Sequence, residues 1–267
     1  MHELSGEQRY MIRITYDGTL YHGWQVQKGL RSVAGTLQSS FKKVFAQDIT
    51  LYGVSRTDAG VHACDQVAVF NFSRPISPES LMQAWNNKLP NSIVIRSIKQ
   101  IPVERNPHHG VIAKTYWYHI FTERPVPFNE RYGWFFRYPL DSEKLKQCLQ
   151  FFEGTHDFRS FSTGDDRGTD TIRRIDSARL EWSEQFSCLR IAIKGPRFLR
   201  YMVRRVVGAC VDVAANKDLS IETLKTVLEA RNPDHTLLNA PAQGLMLAQV
   251  DYEEGVDNEV VDDSWKR

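Results

Sequence analysis

Two periods alternate along this chain, and their order repeats. Residues 10–16 alternate apolar with polar, the period of a half-buried strand. Val33, Leu37, Phe41, Val44 and Phe45 then recur at helical spacing. Residues 49–54 and 66–72 read as strands on either side of a turn-rich stretch, 55–65. Ser77-Pro78-Glu79 is a helix start, a capping side chain followed by proline in the first turn, and residues 93–101 form another strand. The resulting order, β-α-β-β-α-β, breaks at 102–112, where Pro102, Pro107, His108, His109 and Gly110 cluster. It then returns. Residues 113–122 read as a strand, Asp141 caps a helix with Leu145, Cys148, Leu149 and Phe152 on its apolar face, and 171–182 and 187–194 form a strand pair. A helix over 198–214, a second capped by Ser220 and reaching about 230, and a strand over 245–252 complete the chain. This order predicts an α+β fold of two ferredoxin-like (split βαβ) halves with mostly antiparallel sheets and an active-site cleft between them. The expected domains are 1–105, 106–252 and an acidic tail, 253–267.

Composition removes whole classes of alternative. Hydrophobic residues make up 42% of the 267 and charged residues 25%, which excludes a disordered, collagen-like or coiled-coil chain. No apolar run reaches the ~20 residues that span a bilayer, so no membrane partner is expected. The first seven residues carry acidic side chains and no apolar core, unlike a secretory signal. The net charge of +2 hides an asymmetry: residues 251–267 hold seven acidic and two basic residues, leaving 32 basic against 25 acidic in the remainder. A body with that surplus attracts a polyanion. Cys64, Cys148, Cys188 and Cys210 form no C-x-x-C pair, which fits a reduced, cytoplasmic protein. His62-Ala63-Cys64 and His108-His109 match no usual zinc spacing, and no metal is expected.

Three segments can carry chemistry. In Ser55-Arg56-Thr57-Asp58-Ala59-Gly60-Val61-His62-Ala63, Gly60 permits a sharp turn and a carboxylate is placed between two strands. Asp58 can face a cleft with Arg56 on phosphate, or it can simply cap the turn. In Lys114-Thr115-Tyr116-Trp117-Tyr118-His119, alternation puts Tyr116 and Tyr118 on one face and Trp117 on the other. The tyrosines can stack a base, or line the core with bonded hydroxyls. Arg197, Arg200 and Arg204 fall on one stripe if 198–214 is helical, a phosphate-binding row or a solvated face. The pair Asp165-Asp166 sits in a polar, glycine-rich loop, and adjacency in sequence does not place two carboxylates across a cleft.

Taken in order, these segments resemble the TruA-type tRNA pseudouridine synthases over residues 10–252. The likeness rests on Tyr16-Asp17-Gly18 with Gly23-Trp24-Gln25-Val26-Gln27, on Arg56-Thr57-Asp58-Ala59-Gly60-Val61-His62-Ala63, and on Lys114-Thr115-Tyr116-Trp117-Tyr118. His156-Asp157-Phe158-Arg159-Ser160-Phe161, Phe198 with Met202-Val203-Arg204, and Ala240-Pro241-Ala242-Gln243-Gly244-Leu245 extend it. The resemblance implies an isomerase that breaks the uridine N1–C1′ bond, turns the base and joins C5 to C1′. It implies Asp58 as the catalytic carboxylate, Tyr116 packing on the target base, Arg204 pairing with Asp58, Arg56 contacting RNA and Leu245 lining the base pocket. It further implies tRNA as partner, a homodimer, no metal or organic cofactor, and a target at positions 38, 39 and 40 of the anticodon arm. A stacked base cannot be reworked in place, so flipping at a few kcal/mol is part of the expectation.

Some positions depart from the family pattern. Ser55 stands where glycine is usual, His108 and His109 replace an arginine and an aromatic residue, Arg205 replaces asparagine, and Gln243 replaces glutamate. The alternatives weighed are an RNA-binding protein in which Asp58 is dispensable, a synthase of another RNA position, and a glycoside hydrolase using Asp58 with Asp165.

Overall fold

The computed structural model describes residues 7–163 and 170–253. Asp165-Asp166, the first residues of the chain and the acidic tail beyond 253 lie outside them. The described chain is α+β and forms two units.

Among the described residues, the first unit comprises 7–111 and 247–253. Strand β1 (Gln8–Tyr16) pairs antiparallel with β3 (His62–Phe72), setting Tyr10 against Phe70 and Ile12 against Ala68. On its other side β1 pairs antiparallel with β4 (Ile93–Ile101), Ile12 against Ile98. The strand expected over 49–54 is only β2 (Tyr52–Gly53), paired to β3. At Gly53 the indole of Trp24 lies where a Cβ would stand, so this stretch is fitted to a side chain rather than extended along a ladder. The last strand among the described residues, β11 (Leu245–Tyr252), follows β3 in this sheet.

Helix α1 (Val33–Phe45) begins where the Ser32 hydroxyl accepts from the Gly35 amide, and α2 (Pro78–Asn86) begins where Ser77 accepts from Ser80. The apolar spacing read from sequence becomes a buried face. Phe41 meets Phe70, Phe72 and Trp85 edge-on at 4.8–5.5 Å between centroids, a favoured aromatic geometry. The Trp85 indole N–H, which could not be buried without a partner, donates to Ser40 Oγ at 2.9 Å.

In the second unit, β5 (Val111–Phe121), β10 (Cys188–Gly195) and β9 (Ser177–Ser183) form an antiparallel sheet in that order. The short β6 (Trp134–Phe135) runs parallel to the end of β5. The strand expected over 171–182 is broken at Asp176, whose amide turns to Lys194 O at 2.8 Å. Its first part, β8 (Ile172–Ile175), pairs instead with β7 (Gly154–Asp157), which periodicity did not reveal. Helices α3 (Ser142–Phe151), α4 (Met202–Ala215) and α5 (Ile221–Ala230) pack together. Asp141 caps α3 as expected, and Leu145, Cys148, Leu149 and Phe152 are buried.

One helix boundary differs in a way that matters. Phe198, Met202 and Val206 keep helical spacing, yet α4 starts only at Met202. Tyr201, immediately before it, has φ +61°, the left-handed region that cannot continue a right-handed helix. Arg197 and Arg200 therefore precede the helix, and the expected one-face row with Arg204 does not form.

The Asp58 loop and the Tyr116–Arg204 surface

Within the first unit, Asp58 sits half-buried on the loop between β2 and β3, with exposed Arg56 two residues before it. Backbone and side-chain bonds fix this loop at almost every residue. Gln66 Oε1 accepts from the Ser55 amide at 3.2 Å, and Gln66 Nε2 donates to Ser55 O at 2.7 Å. The Tyr16 and Thr57 hydroxyls lie 2.7 Å apart in a buried bond. The Trp24 amide donates to Thr57 O at 3.0 Å, the Gly60 amide to Tyr21 O at 3.1 Å, and the Val61 amide to Asp58 O at 3.1 Å. Gly60 itself has φ +79°, the conformation glycine takes without strain.

The segment 17–24, which by itself reads as a glycine-punctuated turn, is the other wall of this loop. A Cβ on Gly23 would stand 2.5 Å from Thr57 O, and one on Gly18 would collide with Val61 O. Only residues without a side chain let the two backbones meet. The buried His62 ring lies at their junction, its Nδ1 3.2 Å from Asp17 Oδ1 and 3.1 Å from the Gly18 amide. Nδ1 donates to the carboxylate when it carries the ring proton and accepts from the amide when it does not. Partial burial pushes the Asp17 carboxyl up, but hydrogen bonds from His62 and Thr19 outweigh it and hold the group well below the usual carboxylate range. The structure thus engages His62 with Asp17 and Gly18.

Within the second unit, Tyr116 and Tyr118 share a face of β5, as alternation predicted, but take different roles. Tyr118 is fully buried, donates to Pro241 O at 2.9 Å, and lies so close to Gly244 that a Cβ there would meet its ring. Burial raises its phenol well above the ordinary value, although Arg204 nearby pulls the other way, so it stays a neutral donor. Tyr116 is part-exposed and meets Phe198 edge-on at 5.2 Å. Arg204 Nε donates to Ala240 O at 2.8 Å, and the Ala240 amide returns a bond to Arg204 O. Arg204 and Tyr118 thus both hold the turn that delivers Leu245, itself buried, into β11. Arg200 and Arg204 both lie over the Tyr201 ring, at 5.0 and 5.1 Å, so the left-handed tyrosine gathers two of the three arginines in place of a helical row. Arg197 faces Lys114, whose amine is pushed down to about 8, first by burial and then by that guanidinium.

Sequence reasoning named Asp58, Arg56, Tyr116, Arg204 and Leu245. The first two share one unit and the other three the second. It missed Tyr118 and Ala240 as the groups that seat Arg204 and the Leu245 turn, and Tyr16 as the anchor of Thr57. The departures at 55 and 205 have local explanations. Ser55 is not in the left-handed region, so no glycine is needed there. Arg205 is buried and donates to Ser162 O at 2.8 Å and to Pro233 O, bracing α4 against two loops.

The four cysteines are buried and form no disulfide. Among the described residues no helix is long and apolar enough to cross a membrane.

The pattern of the tRNA pseudouridine synthase family matches residues 12–104 and 149–253. The chain is 34% identical over 246 residues to tRNA pseudouridine synthase A of Pseudothermotoga lettingae, covering 92% of this chain and 100% of that one. It is 34% identical over 243 residues to the protein of the same name from Aquifex aeolicus, covering 90% and 98%. It is 36% identical over 245 residues to that of Thermotoga petrophila, covering 91% and 99%. The chain therefore belongs to the tRNA pseudouridine synthase family, and it is an isomerase of tRNA uridine.

Proposed function

We propose that this enzyme converts uridine to pseudouridine in the anticodon stem-loop of tRNA, at positions 38, 39 and 40, with Asp58 as its catalytic carboxylate. The observation that carries this reading is the loop itself. A half-buried carboxylate stands on backbone pinned at Ser55, Thr57 and Gly60, beside an exposed arginine. Such fixing places a reacting group without further reorganisation. The reaction breaks N1–C1′, turns the base and forms C5–C1′; N1 gains a proton and C5 loses one. Asp58 acts on the nucleotide during this exchange, and Arg56 takes a phosphate of the extruded nucleotide. Tyr116, part-exposed on β5, packs on the flipped base, which then lies off its stack. Arg204 supplies the positive charge that favours an ionised carboxylate, and Leu245 forms apolar wall for the base. The enzyme works as a homodimer in the cytoplasm and needs no metal or organic cofactor.

Tritium release from tRNA labelled at uracil C5 tests the chemistry directly, because product formation removes that hydrogen. Wild type is expected to release tritium, with the modified uridines mapping to 38–40. Asp58→Asn keeps shape and removes charge; it is expected to lose activity at least a thousandfold while unfolding at the wild-type midpoint. Retained turnover in Asp58→Asn would sink the assignment. Sedimentation of the purified chain at twice its own mass would support the dimer.

A further inference from the structure

The first unit carries a groove of about 570 Å³ away from the Asp58 loop. One wall is a face of α1. Thr36, Ser39 and Lys43 recur at helical spacing along it, with the buried cap residue Ser32 at its start. From Ser32 to Lys43 this wall runs about 16 Å, more than one phosphate group can span. Lys88, just beyond α2, faces it, and Arg31 stands at its head. No acidic residue lines the groove, and three cations do. That local charge exceeds the net +2 of the whole chain.

Arg31 is not a loose surface cation. Its guanidinium lies 4.8 Å from the centre of the Tyr21 ring, with Nη2 3.3 Å from the Tyr21 hydroxyl. That hydroxyl is bonded in turn to Ser92 Oγ at 2.7 Å. The carbonyl of the same Tyr21 accepts from Gly60 of the catalytic loop. One residue therefore fixes both the head of the groove and the loop bearing Asp58, and the Gly23 and Trp24 carbonyls continue the link by receiving the first α1 amides.

We propose that this groove is a second seat for the tRNA, binding its sugar-phosphate backbone and setting how far along the RNA the Asp58 loop can reach. Cations supply the attraction, and the exposed Ser39 hydroxyl adds a short donor to a phosphate oxygen; such contacts position without reading sequence. The identity of the polyanion rests on the synthase reading; the groove's charge and geometry do not. Because Tyr21 ties groove to loop, phosphates held at Lys43 and Lys88 lie at a fixed offset from Asp58, so the groove acts as a ruler for target position.

The test measures binding of an unmodified tRNA transcript across a salt series. It compares wild type, Lys43→Gln/Lys88→Gln and Lys43→Arg/Lys88→Arg. Both lysines are exposed, so the fold should hold, and thermal unfolding checks that. The glutamine pair is expected to bind about tenfold more weakly, with the log–log salt slope reduced by roughly one to two units, while the arginine pair keeps both. Wild-type affinity and slope in the glutamine pair would overturn the proposal. So would equal losses in both pairs, since that would implicate packing rather than charge. Polyglutamate competing as well as tRNA for wild type would reassign the groove to an acidic protein. Binding is read apart from turnover, so a wild type that makes no pseudouridine would remove the functional reading while the lysine comparison still decides the groove.

Discussion

At the scale of single residues, the candidate loop depends on what is missing from a side chain as much as on what is present. Gly23 has φ +83°, and a Cβ there would stand 2.5 Å from Thr57 O. Gly23→Ala must therefore take a left-handed backbone, at about 1–2 kcal/mol, and also displace the residue before Asp58. The expected outcome is a loss of about 2 kcal/mol or more in urea unfolding, with kcat/KM down at least tenfold through loop displacement alone. Wild-type kinetics in Gly23→Ala would show that the contact does not position Asp58. Ser55 presents the opposite case. Its backbone is satisfied by Gln66, but its buried hydroxyl has no partner. An unbonded buried hydroxyl costs about 1–3 kcal/mol, so Ser55→Ala is expected to raise the urea midpoint with the slope unchanged. A lowered midpoint would mean that the hydroxyl is bonded after all. Neither effect was legible in sequence. The motif announced Asp58, but the fit of Gly23 against Thr57 joins two turns through a fold that no local pattern encodes.

At the scale of elements, alternation served well where a strand lies in a regular ladder. Tyr116 and Tyr118 are opposed to Ile193 and Ile191 on β10, and Trp117 to Ala192, so the predicted faces of β5 hold. Periodicity failed before α4, because three residues at spacing four satisfy a helical count whatever the backbone between them does. A single left-handed residue, Tyr201, re-aims Arg200 and moves Arg197 next to Lys114 instead. Burial of Lys114 on β5, with Arg197 adding to it, has a measurable consequence. Lys114 titrates near 8 in the folded chain, against roughly 10.4 when unfolded. Between those values the unfolded chain binds the extra proton, so this residue makes stability rise with pH from about 8 to about 10.4. Below 8 both states carry the charge, and the folded state bears its full desolvation cost. Lys114→Met is expected to be relatively more stable than wild type below pH 8, with the gap closing as pH climbs through that window. The readout is the difference between two unfolding free-energy curves against pH, which cancels the other groups titrating there. A difference that stays flat from pH 7 to 10.5 would place Lys114 in ordinary solvent.

At the scale of the whole molecule, the order of elements along the chain is not the order in which the sheet is built. β11 closes the described chain, yet it is tied to the first strands of the first unit. The Asp65 carboxylate accepts from Arg13 at 2.5 Å and from the Val250 amide at 2.9 Å, across 185 residues of sequence. Arg13 reaches on to Val250 O at 3.4 Å, and its guanidinium lies 6.0 Å from the Tyr252 ring. Both charged side chains are more than nine-tenths buried. The first unit therefore cannot finish its sheet until β11 has arrived, a long-range pairing of the kind that slows folding. Buried ion pairs also have an asymmetric energetics. Desolvation offsets much of their attraction, so the pair adds little net stability, but removing one partner strands the other. Asp65→Ala is expected to lose about 3–5 kcal/mol, because the buried Arg13 charge loses its opposite charge and the Val250 amide its acceptor. Arg13→Met/Asp65→Leu leaves no stranded charge and is expected to be more stable than Asp65→Ala, even though it removes more of the native contact. Denaturant unfolding of the single and double variants gives the coupling between the two sites. Amide exchange at Val250 shows whether β11 opens by itself. A double variant as unstable as the summed singles, with Val250 protected in all of them, would mean that β11 is held by its ladder alone and that this charge pair does not tie the last strand to the first.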